Sequence, residues 1–292
     1  MIKRDKSDIF IDNLSRLRQD ARLIREEEIL FLEAYFSSMI TGEMTFDKAV
    51  KHLLGGYKRL IETSENAYIT EKVVACRTLA KHFPQISFLS KGFSASIITH
   101  QPDMSARISF WQSHPFSSKG VEHFSSLFLS AEPIPVNSFS DVCDRAVNQA
   151  SDFGIIPVEN TMDGRLTAFY KMLDRYELKI CAVCDVDDPE ADMTTRLALV
   201  TKNVYVFEDA RPCYLEFSYV KSEDDTKSDL IGVAEAMGMS LTGLSFLPLS
   251  YRIGASVETM RLKLAKGNVL PFLIYLYAFC EDINMLGFYV KI

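Results

Sequence analysis

Over the first eighty residues apolar positions return every three or four places. Leu14, Leu17, Ala21 and Ile24, continued by Glu28, follow this spacing, and Leu23, Leu30 and Phe31 widen the stripe. That is the period of a helix with one apolar face. Ser7 or Asp8 can cap its start. Ile40-Thr41-Gly42-Glu43 reads as a break, Thr45 and Asp47 as the entry to a second helix, and Gly55-Gly56 as a kink or stop. A third helix is expected from Glu65 to His82, ending before Pro84. Nothing in this region alternates with period two.

From Phe93 the texture changes. Ala95 to Ile98 is a short β-like run, and Met104 to Trp111 reads as helical. Pro133-Ile134-Pro135-Val136 is expected to be a strand, and Asp141 to Gln149 a helix capped by Ser138 or Ser140. Phe153 to Val158 is a strand, Asp163 to Arg175 a helix, Leu178 to Cys184 a strand, and Arg196 to Val200 another after the polar turn Asp185 to Asp192. Strands alternating with helices predict a parallel α/β sheet. Phe207 to Pro212, acidic and containing a proline, is the expected linker. The tail then reads as strand (Cys213–Val220), helix (Lys227–Met237), strand (Ser240–Leu249), helix (Ala255–Lys266) and two strands (Leu270–Phe279, Met285–Ile292).

Charge and composition narrow the function. A formal charge of -7 in 292 residues, with no basic block, argues against nucleic acid or an anionic membrane as the partner. The longest apolar run, Leu270 to Cys280, is far short of the roughly 20 residues a membrane helix needs. No secretory leader pattern opens the chain. Six scattered cysteines fit a reducing compartment, so a cytoplasmic location is expected. Cys181-Ala182-Val183-Cys184 lies on an expected strand and reads as buried core thiols rather than a redox or zinc pair. The five histidines show no ligand spacing, and neither metal nor cofactor is expected. His100 alone among them draws notice.

One stretch carries a specific resemblance. Ser138 to Ala182, and within it Asp152-Phe153-Gly154-Ile155-Ile156-Pro157-Val158-Glu159-Asn160-Thr161, resembles the prephenate dehydratase segment Asp-(Tyr/Phe)-Gly-(Val/Ile)-(Val/Ile)-Pro-(Ile/Val)-Glu-Asn-(Ser/Thr). Gly164 and Met172-Leu173-Asp174 continue it. Met193-Thr194-Thr195-Arg196-Leu197 resembles the family's Thr-Arg-Phe signature, with leucine in place of phenylalanine. The family removes CO₂ and a ring hydroxyl from prephenate, which needs a proton donor and groups that hold two carboxylates. The resemblance implies Thr195 as the donor. It implies Arg196, Glu159, Asn160, Thr161 and Thr194 as the substrate-binding set at the carboxyl end of a strand.

The family's Gly-Pro-x-Gly-Thr-(Tyr/Phe)-Ser loop aligns here with Thr99 to Ser105, which retains only Ser105 and brings His100 into view. A second lobe normally precedes the Thr-Arg-Phe motif; here only Asp185 to Met193 intervenes.

The flanks resemble modules that accompany this family. The N-terminal helices, with Arg18, resemble a chorismate mutase, although Arg22, Arg25 and Tyr35 depart from its pattern. Tyr214 to Ser218, Met239 to Leu244 and Met285 to Tyr289 resemble strands of an ACT module, whose last helix is expected here ahead of the third strand instead of after it. The expected fold is therefore multidomain. Residues 1–90 are all-α, 91–206 a single α/β lobe of periplasmic-binding-protein-like fold, and 207–292 an α+β, ferredoxin-like ACT module. The expected partners are a small carboxylate, prephenate or chorismate, and a second copy in a homodimer. Catalysis and non-catalytic binding both stay open.

Overall fold

The computed structural model describes residues 6–61, 68–85, 97–99, 104–188, 190, 192–206, 213–219, 227–248, 256–264, 269–280 and 283–292. The chain forms two compact units, Met1–Pro84 and Gln85–Ile292.

The first unit is helical: α1 (Lys6–Ser38), α2 (Phe46–Ile61) and α3 (Tyr68–His82). Phe36, Ala49, Leu53, Val74, Cys76 and Leu79 form its core. The break at Thr41-Gly42 occurs where expected, but Gly55-Gly56 neither stops nor interrupts α2. A Cβ on Gly56 would overlap Met39 Sδ, so glycine there lets the end of α1 cross closely. From Leu14 to Glu28 α1 is exposed on every side.

The second unit opens with β1 (Ile97–Thr99), β2 (Ser105–Trp111), α4 (Ser117–Ser125), β3 (Ser130–Val136) and α5 (Phe139–Val147). It continues with β4 (Phe153–Asn160), β5 (Gly164–Arg165), α6 (Thr167–Tyr176), β6 (Lys179–Asp188), β7 (Met193–Thr201) and β8 (Val204–Val206). The segment read as a helix from Met104 to Trp111 is strand β2. Its buried Ala106 and Ile108 alternate with half-exposed Arg107, a period of two that a window of eight residues did not separate from a helical one. Ser138 caps α5 as expected, accepting from the Asp141 amide at 3.1 Å.

The sheet is mixed rather than parallel. β2 runs parallel to β3 and β4, whereas β7 runs antiparallel to both β4 and β6. The turn between β6 and β7 is so short that only a hairpin can join them, which forces that reversal. β6 and β7 use up much of the expected polar turn, and Asp192 closes it at a positive φ of 47°. Two cores cover the sheet. Phe116, Phe124, Ile155, Leu197 and Leu199 lie on the face with α4, and Val142, Ile156, Tyr170, Leu173 and Ala198 on the face with α5 and α6.

The tail runs β9 (Cys213–Tyr219), α7 (Lys227–Ala236), β10 (Met239–Pro248), β11 (Ser256–Leu264), α8 (Leu270–Phe279) and β12 (Asn284–Lys291). Two expected elements are exchanged. Ala255–Lys266, read as a helix, contains strand β11, where buried Met260 and Leu262 alternate with Arg261 and Lys263. Leu270–Phe279, read as a strand, is helix α8. Its ten residues are apolar almost all round because Leu270, Phe272, Leu273, Ile274, Tyr275 and Leu276 are all buried, and Pro271 sits in its first turn.

The order is therefore βαββαβ, with strand neighbours β10-β11-β9-β12 all antiparallel. β12 also pairs parallel with β6, so tail and lobe share one sheet. At that joint a Cβ on Gly287 would overlap the Ile180 carbonyl oxygen, leaving room only for glycine. The expected linker at Phe207 to Pro212 and the expected site residue His100 lie outside the described residues.

Candidate functional site

β4 and β7 bring the two recognised motifs together. Asn160 stands opposite Thr195 and Glu159 opposite Arg196. Side chains alternate along β7, so Thr195 shares the α4 face with Leu197, and Arg196 shares the α5–α6 face with Ala198. Arg196 and the Asn160–Thr195 pair are thus close along the strands but lie on opposite faces of the sheet.

The carboxyl edge of the sheet, where β4 ends and β7 begins, gathers several hydroxyls. Thr195 is 4% exposed, and its hydroxyl makes no hydrogen bond among the described residues. Thr161 and Thr194 lock together: the Thr161 amide donates to the Thr194 carbonyl at 3.0 Å, and the Thr194 amide to Thr161 Oγ1 at 3.1 Å. Thr194 Oγ1 donates to Asp187 at 2.7 Å. Asn160 closes its own turn, accepting from the Asp163 amide and donating to the Asp163 carboxylate at 2.9 Å.

The first turn of α4 borders the same edge. A Cβ on Gly120 would lie 2.6 Å from Leu197 Cδ1, so helix and strand touch there. At 1.5 Å rise per residue, Ser117 stands about 4.5 Å nearer the carboxyl edge, at the level of Thr195. Lys119 Nζ reaches the Asp187 carbonyl at 3.5 Å, and no side chain caps the helix amides. Such an uncapped first turn beside a lysine favours negative charge.

Two residues of this edge were missed in the sequence: His114 and Ser117, whose Nδ1 and Oγ lie 3.2 Å apart. The signal was Pro115-Phe116-Ser117 following a strand, hidden once Met104 to Trp111 was read as a helix. Burial lowers the His114 pKa below its ordinary value. The unfolded chain therefore takes up this proton first as pH falls. The stability linked to His114 is complete above about pH 6.5 and declines below it. Urea midpoints measured from pH 7.5 to pH 5 should fall, and His114→Gln should flatten that slope.

The opposite face holds a charge network. Arg196 donates to Asp185 at 2.7 Å and to Glu159 at 2.6 Å. Arg261 reaches Glu159 at 3.2 Å and Glu216 at 3.1 Å, and Arg165 pairs with Glu216 while lying over the Tyr170 ring. Lys291 closes on Asp185 at 2.6 Å. Burial, outweighed by the hydrogen bond and charge of Asp185, leaves the Arg196 pKa raised. Arg196 and Glu159, expected to meet substrate, here clamp β4, β6 and β7 to the tail strands.

Ser105 lies at the amino end of β2. Ile108 is level with Phe153, so Ser105 and Asn160 are separated by about ten residues of strand, roughly 33 Å. The two do not share a site. Arg18 is exposed on α1 with no ion pair among the described residues. Cys181 and Cys184 are buried, and burial pushes the Cys184 thiol up to about 12. No described helix is long and apolar enough to cross a membrane.

The second unit is thus a mixed α/β lobe with hydroxyls and an uncapped helix end at the carboxyl edge of its strands, the edge where open α/β sheets carry their ligands. Residues 114–187 match the family model for prephenate dehydratase. The match takes in about a quarter of the chain, and over that stretch the sequence is similar to the family. Prephenate dehydratase from Streptococcus mutans superposes with a TM-score of 0.50 at 15% identity, over 63% of this chain and 98% of that one. Prephenate dehydratase from Staphylococcus aureus gives 0.47 at 11%, over 63% and 99%. The enzyme from Arthrobacter aurescens, in complex with L-Phe, gives 0.48 at 12%, over 63% and 90%. No curated protein sequence matches. Ser105 and Thr194–Arg196 lie outside the matched residues.

Proposed function

We propose that the edge beside Thr195 takes prephenate and releases phenylpyruvate, placing the protein in aromatic amino-acid biosynthesis. The observation that carries this reading is the Thr195 hydroxyl, free of hydrogen bonds among the described residues and set opposite Asn160, which lies within the matched stretch. Thr195 would protonate the departing ring hydroxyl as CO₂ leaves. The α4 amides and Lys119 would hold a carboxylate, the part that the resemblance assigns to Arg196. The matched stretch begins at His114, so the family's (Tyr/Phe)-Ser pair is read here on Phe116-Ser117.

A non-catalytic binder is the second reading, favoured by the neutralisation of Arg196 by Asp185 and Glu159 and by the single lobe. Incubating the pure protein with prephenate separates the two. Phenylpyruvate formation above the spontaneous rate supports the enzyme. A raised thermal midpoint with prephenate but no product supports the binder. A protein that gives no product and no shift would refute both.

The flanking modules extend the proposal. The βαββαβ order and its antiparallel strand neighbours support an ACT-like tail, and the three helices support a mutase-like unit. A homodimer through α1 is supported by the exposed heptad of Leu14, Leu17, Ala21, Ile24, Glu28 and Phe31, the last 78% exposed. In a parallel pair Asp20 would face Arg25 of the second copy, whereas an antiparallel pair would oppose like charges. Sedimentation should give a dimer that Ile24→Ser with Phe31→Ser converts to monomer; a wild-type monomer would refute it.

A further inference from the structure

At the amino edge of the lobe, away from Thr195, a cavity of about 300 Å³ opens between the α5–β4 loop, the start of β2 and the β7–β8 turn. Gly154 and Asn160 are six residues apart on β4, so the cavity lies about 20 Å from Thr195. Its volume is at the small end of pockets that hold metabolites. Arg107, Asp152, Lys202, Asn203 and Tyr205 supply its polar wall, and Met104 and Ala146 an apolar one.

The charge in this wall is unevenly balanced. Asp152 is the carboxylate, and both its oxygens are taken by Arg107. The Arg107 amide and Nε donate to Oδ2 at 2.8 and 3.2 Å, and Nη2 donates to Oδ1 at 2.9 Å. Arg107 Nη2 also donates to the Gln149 carbonyl at 3.1 Å, so this pair is fixed in place. Lys202 has no ion pair among the described residues and lines the cavity. Tyr205 is 6% exposed, packs its ring on Phe153 and makes no hydrogen bond with its hydroxyl among the described residues. The ring is buried, but its hydroxyl still reaches solvent at the cavity, where it can donate to a bound group.

We propose that this pocket is a second ligand site, taking a small oxyanion, with Lys202 pairing its charge and Tyr205 and Asn203 donating to its oxygens. The phenol is kept protonated by burial, which pushes its pKa up to about 12. It therefore has a proton to donate to an anion at neutral pH. Pairing with Arg107 offsets the charge of Asp152, and among the described lining residues a cation would meet no free carboxylate. Carboxylate and phosphate share this chemistry, and the two arms of the test tell them apart.

The test is calorimetric titration of the full chain in a phosphate-free, low-salt buffer. One arm uses benzoate, the other inorganic phosphate, with sodium chloride as the ionic control. Saturable binding in either arm is expected, and the arm that responds names the class. Lys202→Ala should weaken it by about tenfold or more, the scale of a hydrogen bond to a charged group. Tyr205→Phe should weaken it several-fold with an unchanged thermal midpoint, and Lys119→Ala should leave it unaltered. No saturable binding in either arm, or equal binding by Lys202→Ala, would overturn the proposal. Weakening by Lys119→Ala would assign the anion to the edge beside Thr195 and overturn it equally.

Discussion

Replacing Glu216 with glutamine should lower the unfolding free energy by about 3–5 kcal/mol, because it strands buried guanidinium charge. Glu216 is fully buried and accepts from Arg261 and from the Tyr289 hydroxyl at 2.9 Å, while pairing with Arg165. Arg165 and Arg261 sit close enough that each bears on the other's ionisation, and burial lowers the Arg165 pKa. Without the carboxylate between them, burial and mutual repulsion act together. Urea unfolding measures the loss, and adding Arg165→Met to the same chain should recover part of it. By contrast, Glu26→Gln, which breaks only the exposed i,i+4 pair with Arg22, should leave the midpoint where it was. If Glu216→Gln were equally silent, the network would not be the fastening between tail and lobe.

Thr195→Val should cut phenylpyruvate formation by about 10²–10⁴-fold, the range attributed to a positioned proton donor. Valine keeps the shape and the β-branch, so β7 should pair as before. The hydroxyl makes no hydrogen bond among the described residues, so its removal should not lower the unfolding midpoint. Prephenate affinity should change only a few-fold, because the α4 amides and Lys119 are untouched. Steady-state rates and a binding isotherm on the same preparation separate these effects. An unchanged turnover number would exclude Thr195 as the donor and move attention to His114 and Ser117.

Elements with one dominant local signal were legible in the sequence. Ser138 ahead of an amphipathic run marked the start of α5, and the continuous apolar stretch from Phe153 to Val158 marked a strand buried on both faces. Segments whose period depends on their surroundings were not. Met104–Trp111 is too short to discriminate its two possible periods. The uninterrupted apolar run Leu270–Phe279 fits a buried strand and a buried helix equally well until its neighbours are known. The exchange of β11 and α8 arose from that ambiguity, and it hid the regular βαββαβ order of the tail.

The candidate site divides along the same line. The motifs predict Arg196 beside Asn160, whereas in the fold Thr195 stands opposite Asn160 and Arg196 turns to the other face. The sequence could not reveal that Arg196 would be neutralised, because its acids approach from different strands and Glu159 is shared with Arg261, 102 residues further on. Nor could it reveal that Ser105 begins a strand at the far edge.

By itself the sequence determined the helical start and the mixing of strands with helices in the lobe, since these rest on local period, caps and contiguous motifs. Only the tertiary structure decided which face each side chain takes and which charges meet. Those depend on strand register, where a single bulged residue such as the one between Pro157 and Glu159 turns every later side chain of β4 to the other face. They also depend on contacts between segments far apart in the chain.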